Sequence, residues 1–195
     1  MKRTHVFPLL ALLVAAPLLA QAPAPAPAAA TVTEAVLETA AGEIVIRLLP
    51  ELAPAHVNVF KKTAQAGNYN GTIFHRIIRG GIIQGGDPNT KDPAKAARYG
   101  QGGLGFLKAE FSDRPFVRGT VAAARLPSSK DSGGTQFFIC LRDQPGLKGQ
   151  YSIFGEVVSG IEVADKISTT PVDEDKPTER VEIQKVTLRE KSPSS

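Results

Sequence analysis

The chain has 195 residues, 42% of them hydrophobic and 22% charged, which suffices for one ordinary domain and is too little for two large ones. A single cysteine, Cys140, excludes an internal disulfide framework and a cysteine-rich zinc site, and three histidines leave little for a histidine-based metal centre. The formal charge of +4 overstates the basic character of the domain, because Lys2 and Arg3 belong to an N-terminal segment of a different kind.

That segment runs from Met1-Lys2-Arg3 into an apolar stretch from about Val6 to Ala20 and then into small residues, the three-part pattern of a secretory leader. Pro8 and Pro17 and the short apolar run argue against a spanning helix and against stable membrane association. The expected leader is 1–22, with Ala20-Gln21-Ala22 as an A-x-A site; cleavage after Ala20 or Ala30 is an open alternative. No cysteine follows the run, so lipoprotein anchoring is excluded. Export follows, with the periplasm as the expected compartment. Without the leader, 21 basic residues face 19 acidic ones, so the pI of 9.3 is no argument for a nucleic-acid partner. Residues 23–30 lie in the alternating run QAPAPAPAAA, which reads as an extended Ala/Pro linker. The folded domain is expected over 31–190, followed by a flexible tail, 191–195.

Within the domain the hydrophobic period is mostly two. Glu34–Thr39 and Glu43–Leu48 alternate around Ala40-Ala41-Gly42 and read as a hairpin. From about Pro54 to Ala66, Val57, Phe60 and Ala64 fall at helical spacing, with Pro54 suited to the first turn and Gly67 to the stop. Strands are expected at 72–79, 82–85, 119–124, 136–141, 152–158 and 181–189, and a second short helix at Ile161–Ile167. Many short strands, glycine-rich loops and only two helices predict a mainly β domain, a closed antiparallel barrel.

Two segments carry the chemistry: Phe74-His75-Arg76-Ile77-Ile78 with Gln84-Gly85-Gly86-Asp87 after it, and Gly134-Thr135-Gln136-Phe137-Phe138-Ile139. By the period-two rule Ile82 and Gln84 share one face of their strand, and Gln136 and Phe138 one face of theirs. If the Arg76 strand adjoins them, one surface gathers a guanidinium, two carboxamides and apolar side chains. The set contains no acid–base pair and no activated nucleophile. His75 and Cys140 lack a third orienting residue, so Cys140 reads as a lone buried thiol at the end of an apolar strand. Gly100 to Gly105 satisfies GxGxxG without a strand before it or a helix after it, and reads as a flexible loop beside the site. Asp173-Glu174-Asp175 and Asn70-Gly71-Thr72 read as turns.

FHRII…QGGD, GTQFFI and the later FGEVV together resemble the cyclophilin-type peptidyl-prolyl cis–trans isomerases, over about residues 33 to 189. The resemblance implies an eight-stranded antiparallel barrel capped by two helices. It implies that Arg76 is the catalytic arginine and that Gln84 and Gln136 are substrate-contacting amides. Phe74, Ile82, Phe138 and Leu147 match positions that line or back the proline pocket, and Tyr151 falls where the family often has histidine or tyrosine. Ala124 and the backbone of Arg125 match the strand that pairs with the bound peptide. The implied partners are proline-containing polypeptides; no cofactor and no metal is implied, and a monomer is the default for a small barrel. Two departures stand out. Gly81 replaces a usual aromatic and is expected to remove one pocket wall. Gly146 replaces a usual tryptophan or histidine and is expected to weaken binding of the macrocycle cyclosporin. The alternative to an isomerase is a peptide-binding protein or chaperone of the same fold with weak catalysis.

Overall fold

The computed structural model describes residues 31–191; the expected leader, the linker and the tail beyond Lys191 lie outside them. The first hairpin forms as its alternation requires. β1 (Val32–Thr39) and β2 (Gly42–Leu48) pair antiparallel, and the facing pairs Ala35/Ile46 and Leu37/Ile44 are fully buried. Helix α1 (Pro54–Gln65) begins on Pro54 and turns Val57, Phe60 and Ala64 inwards. The Phe60 ring packs against those of Tyr69, Phe137 and Phe154 at centroid distances of 4.9, 5.7 and 5.4 Å.

The segment expected as one strand over 72–79 is two: β3 (Thr72–Ile73) and β4 (Arg76–Ile78). There follow β5 (Ile82–Gly85), β6 (Thr120–Ala123), β7 (Phe137–Cys140), β8 (Ile153–Ser159) and α2 (Ile161–Ser168). A two-stranded hairpin, β9 (Val172–Asp173) and β10 (Lys176–Pro177), and the long β11 (Glu182–Lys191) complete the domain. Gly160 at the start of α2 has φ +81, and a Cβ there would run into the Glu43 carbonyl, so only glycine fits.

Nine strands form one curled antiparallel sheet in the order β3-β11-β1-β2-β8-β6-β7-β5-β4. This corrects the closed eight-stranded barrel in detail. No ladder joins the edge strands β3 and β4. The chain itself crosses between them through Phe74 and His75, whose amides bond to opposite edges, Phe74 N–H to the Val181 carbonyl (2.9 Å) and His75 N–H to that of Gln84 (3.0 Å).

The sheet has apolar groups on both faces along β6 and β7, every residue of which is buried. Phe137, Ile139, Val121 and Ala123 point into the main core with Phe60 and Ile83. Phe138, Cys140, Ala122 and Ala124 point the other way, into a smaller cluster with Ile82, Phe116 and Ile153. That smaller cluster is the floor on which the site is built.

Candidate active site

Cross-strand register sets out a row of side chains on this second face. Arg76 of β4 lies opposite Gln84 of β5, Gln84 opposite Phe138 of β7, and Phe138 opposite Ala122 of β6. Residues directly opposite in antiparallel strands are close neighbours, so a guanidinium, a carboxamide and a phenyl ring sit in line. Ile78 and Ile82, also paired, extend the apolar part.

These groups border a cleft of about 680 Å3. Arg76, Ile82, Gln84 and Phe138 line it, as do Ala124, Arg125, Leu147 and Tyr151 from the opposite side. Phe138 is almost wholly buried between Phe116, stacked on it at 6.5 Å, and Tyr151, edge-on at 5.3 Å. The Arg125 guanidinium lies 4.8 Å over the Tyr151 ring and donates to the Gln150 and Leu126 carbonyls.

Two of the expected residues are placed differently. Phe74 is fully buried in the main core, edge-on to Phe137, and does not line the cleft. The chain's crossing between the sheet edges at Phe74-His75 breaks the parity that would have put Phe74 on the face of Arg76. Gln136 is also buried and acts from behind Gln84. Its Nε2 donates to the Gly102 carbonyl (2.7 Å), which can only accept, so its Oε1 must face Gln84 and accept from Gln84 Nε2 (3.0 Å). The network thus fixes Gln84 with its amide oxygen and one N–H free of side-chain partners among the described residues. The GxGxxG loop supplies that carbonyl and is pinned rather than free: Gly100 N–H donates to the buried Asp87 carboxylate (2.5 Å).

Other lining residues were given no site role by the sequence. Asp175, in the turn between β9 and β10, accepts from Arg76 Nε at 2.6 Å, with both side chains about two-fifths exposed. His75 lines the cleft but is buried, with no hydrogen-bond partner on either ring nitrogen among the described residues. Burial lowers its pKa, against an opposing pull from the Asp87 carboxylate. Ile78 bears on Gly81: a Cβ at Gly81 would lie 2.9 Å from Ile78 Cγ2. Ile78 thus packs where a side chain at Gly81 would begin, and it also lines the cleft. Cys140 is fully buried opposite Ile82, and burial pushes its thiol up to about 12. A protease-like thiolate is ruled out at this position.

The family model described as "Cyclophilin type peptidyl-prolyl cis-trans isomerase/CLD" matches residues 35–188. A probable peptidyl-prolyl cis-trans isomerase of Brucella suis is 46% identical over 137 residues, covering 68% of this chain and 69% of the relative. Peptidyl-prolyl cis-trans isomerase B of Bacillus subtilis is 39% identical over 131 residues, covering 67% of this chain and 86% of that one. A cyclophilin from Cryptosporidium parvum, solved in the presence of the dipeptide Ala-Pro, superposes with a TM-score of 0.72 at 28% identity, covering 80% of this chain and 98% of that chain. Sequence, fold and the arginine–glutamine row on an apolar floor agree, and the chain belongs to the cyclophilin-type peptidyl-prolyl cis–trans isomerases.

Proposed function

We propose that this isomerase acts on exported polypeptides, with Arg76 as the group that lowers the barrier and the Phe138 floor as the seat of the proline ring. The N-terminal pattern of Met1-Lys2-Arg3 and an apolar run supports export, and the row Arg76–Gln84–Phe138 supports the chemistry. An X–Pro bond turns slowly because amide resonance sets a barrier of about 18–20 kcal/mol. No bond need break. In the twisted amide the nitrogen regains a lone pair, and a cation donating to it stabilises that state more than the planar one. Arginine stays protonated and presents a rigid fork of donors. One charge-assisted hydrogen bond supplies about 1.5–3 kcal/mol, which is about one to two decades of rate. Gln84, held by Gln136, offers its free amide groups to the peptide beside the rotating bond.

The row of paired residues carries this reading. Its test is a proline-limited refolding or tetrapeptide assay on Arg76→Ala. The expected result is a folded protein that has lost about one to two decades of kcat/KM, with Arg76→Lys recovering part. Near-normal turnover of a folded Arg76→Ala protein would remove Arg76 from the mechanism. The protein acts as a monomer, binds proline-containing segments and takes cyclosporin weakly. The rival reading, a peptide binder with feeble turnover, rests on a missing wall at Gly81; Ile78, which packs beside Gly81 and lines the cleft, favours the isomerase.

A further inference from the structure

The β9–β10 hairpin reaches over the site. Its base is tied by Thr178, which donates through both N–H and Oγ1 to the Pro171 carbonyl (2.9 and 3.1 Å). Its turn is docked on β4, where the Ile77 amide donates to the Asp175 carbonyl at 2.7 Å. Glu174, just before, is the one non-glycine residue with positive φ (57°) among the described residues. A left-handed glutamate costs conformational energy and persists where the surroundings fix it. What it places is the Asp175 carboxylate, 2.6 Å from Arg76 Nε.

We propose that Asp175 is a positioning residue for Arg76: by binding Nε it fixes the plane of the guanidinium and presents both terminal nitrogens to the cleft. Among the described residues Asp175 is the only side-chain partner of that guanidinium. A long arginine otherwise spends conformational freedom each time it meets the rotating amide. A bond at Nε removes the torsional freedom nearest the head without consuming the donors that face substrate. The pair is too exposed to add much to stability, so its effect belongs to orientation. Backbone and side chain of one residue share the task, since the Asp175 carbonyl holds β4 while its carboxylate holds the Arg76 head.

The inference rests on Arg76 being the catalytic cation, and its test separates the two. Asp175→Ala and Asp175→Asn are compared with the parent protein by steady-state kinetics on an X–Pro peptide, thermal unfolding, and the 15N-edited NMR signal of the Arg76 Nε–H, assigned by its loss in Arg76→Lys. Asp175→Ala is expected to lower kcat about tenfold with KM changed less than about twofold. Its melting temperature should stay put, and the Nε–H signal should move to the position of a solvated arginine. Asp175→Asn keeps an acceptor oxygen and should restore much of kcat and of the signal. Unchanged kcat in Asp175→Ala overturns the proposal. So does a rise, which would mean that the carboxylate withholds Arg76 from substrate. A fall matched by loss of melting temperature also overturns it, as a merely structural role for the hairpin. Should the parent protein itself fail to turn over the peptide, the catalytic reading of Arg76 falls, whereas an unmoved Nε–H signal in Asp175→Ala would sink the ion pair alone.

Discussion

Gly146 sits between two cleft-lining residues, Gln144 and Leu147, and a Cβ built on it meets nothing within 4 Å. Gly146→Trp should therefore fold without rearrangement. An added indole at the cleft adds about 0.5–1.5 kcal/mol of aromatic contact, so cyclosporin inhibition should tighten up to about tenfold. Inhibition curves on both proteins check this; unchanged sensitivity would show that the missing side chain is not what limits the macrocycle. At this scale the sequence was legible wherever parity ran unbroken. Ile82 with Gln84, and Gln136 with Phe138, share a face as alternation requires. Phe74, expected to line or back the pocket, does not line it: the strand before it ends at Ile73, so its ring turns into the core while Arg76, two residues on, faces the cleft. Asp175 was read as a turn residue, which it is; its carboxylate gains a role only from the docking of that turn on β4, a contact that no local pattern encodes.

Helix α1 opens without a capping side chain of its own, since Ala53 occupies the N-cap and no acidic residue lies in the first turn. Glu110, from the long loop before β6, takes its place. It accepts the Ala55 and His56 amides (3.1 and 3.0 Å) and pairs with buried His56 Nδ1 at 2.6 Å. Loss of a cap costs about 0.5–2 kcal/mol, and here a buried imidazole also loses its partner. Glu110→Ala is thus expected to lower unfolding free energy by about 1–2 kcal/mol in urea denaturation; an unchanged midpoint would show that water replaces the carboxylate at no cost. Most elements were legible because their hydrophobic period is long enough to read: β1, β2, α1 and β11 each span seven residues or more. The β9–β10 hairpin was not, because two-residue strands, one of them containing Pro177, carry no alternation. The Glu110 cap was hidden for a different reason, its separation of more than fifty residues from the helix it completes.

For the molecule as a whole, three groups with shifted pKa set how stability responds to acid: His75, Glu110 and the exposed Asp165, whose hydrogen bond from Arg118 holds it below 3.8 and whose contribution is lost together with that of Glu110. Burial holds His75 neutral, so its folded pKa lies below the ordinary 6.5. The unfolded chain takes up that proton first, and stability that is complete above 6.5 declines as pH falls below it. At Glu110, burial by itself raises the pKa, but hydrogen bonds from His56 and the Ala55 and His56 amides outweigh it and hold the carboxyl below 4.5. Its contribution is complete above 4.5 and is lost as pH falls through the lower folded value. Unfolding free energy should therefore fall in two stages on acidification. His75→Leu should flatten the first stage, and Glu110→Gln the second. A single-stage decline in the parent protein would mean that His75 meets water in the native state. Overall topology was legible as far as an antiparallel β architecture with two helices. The count of nine strands and the open seam were not, because both depend on the two-residue crossing at Phe74-His75. The pairing of β1 with β11, which sets Val32 against Lys191, also governs how the domain yields to force. A pull applied through both ends of the domain acts along the rungs of that ladder rather than across them. Tension then rests on one rung at a time, and the domain unzips from its terminal strands inwards, leaving the rows around Arg76 intact until the zip reaches them.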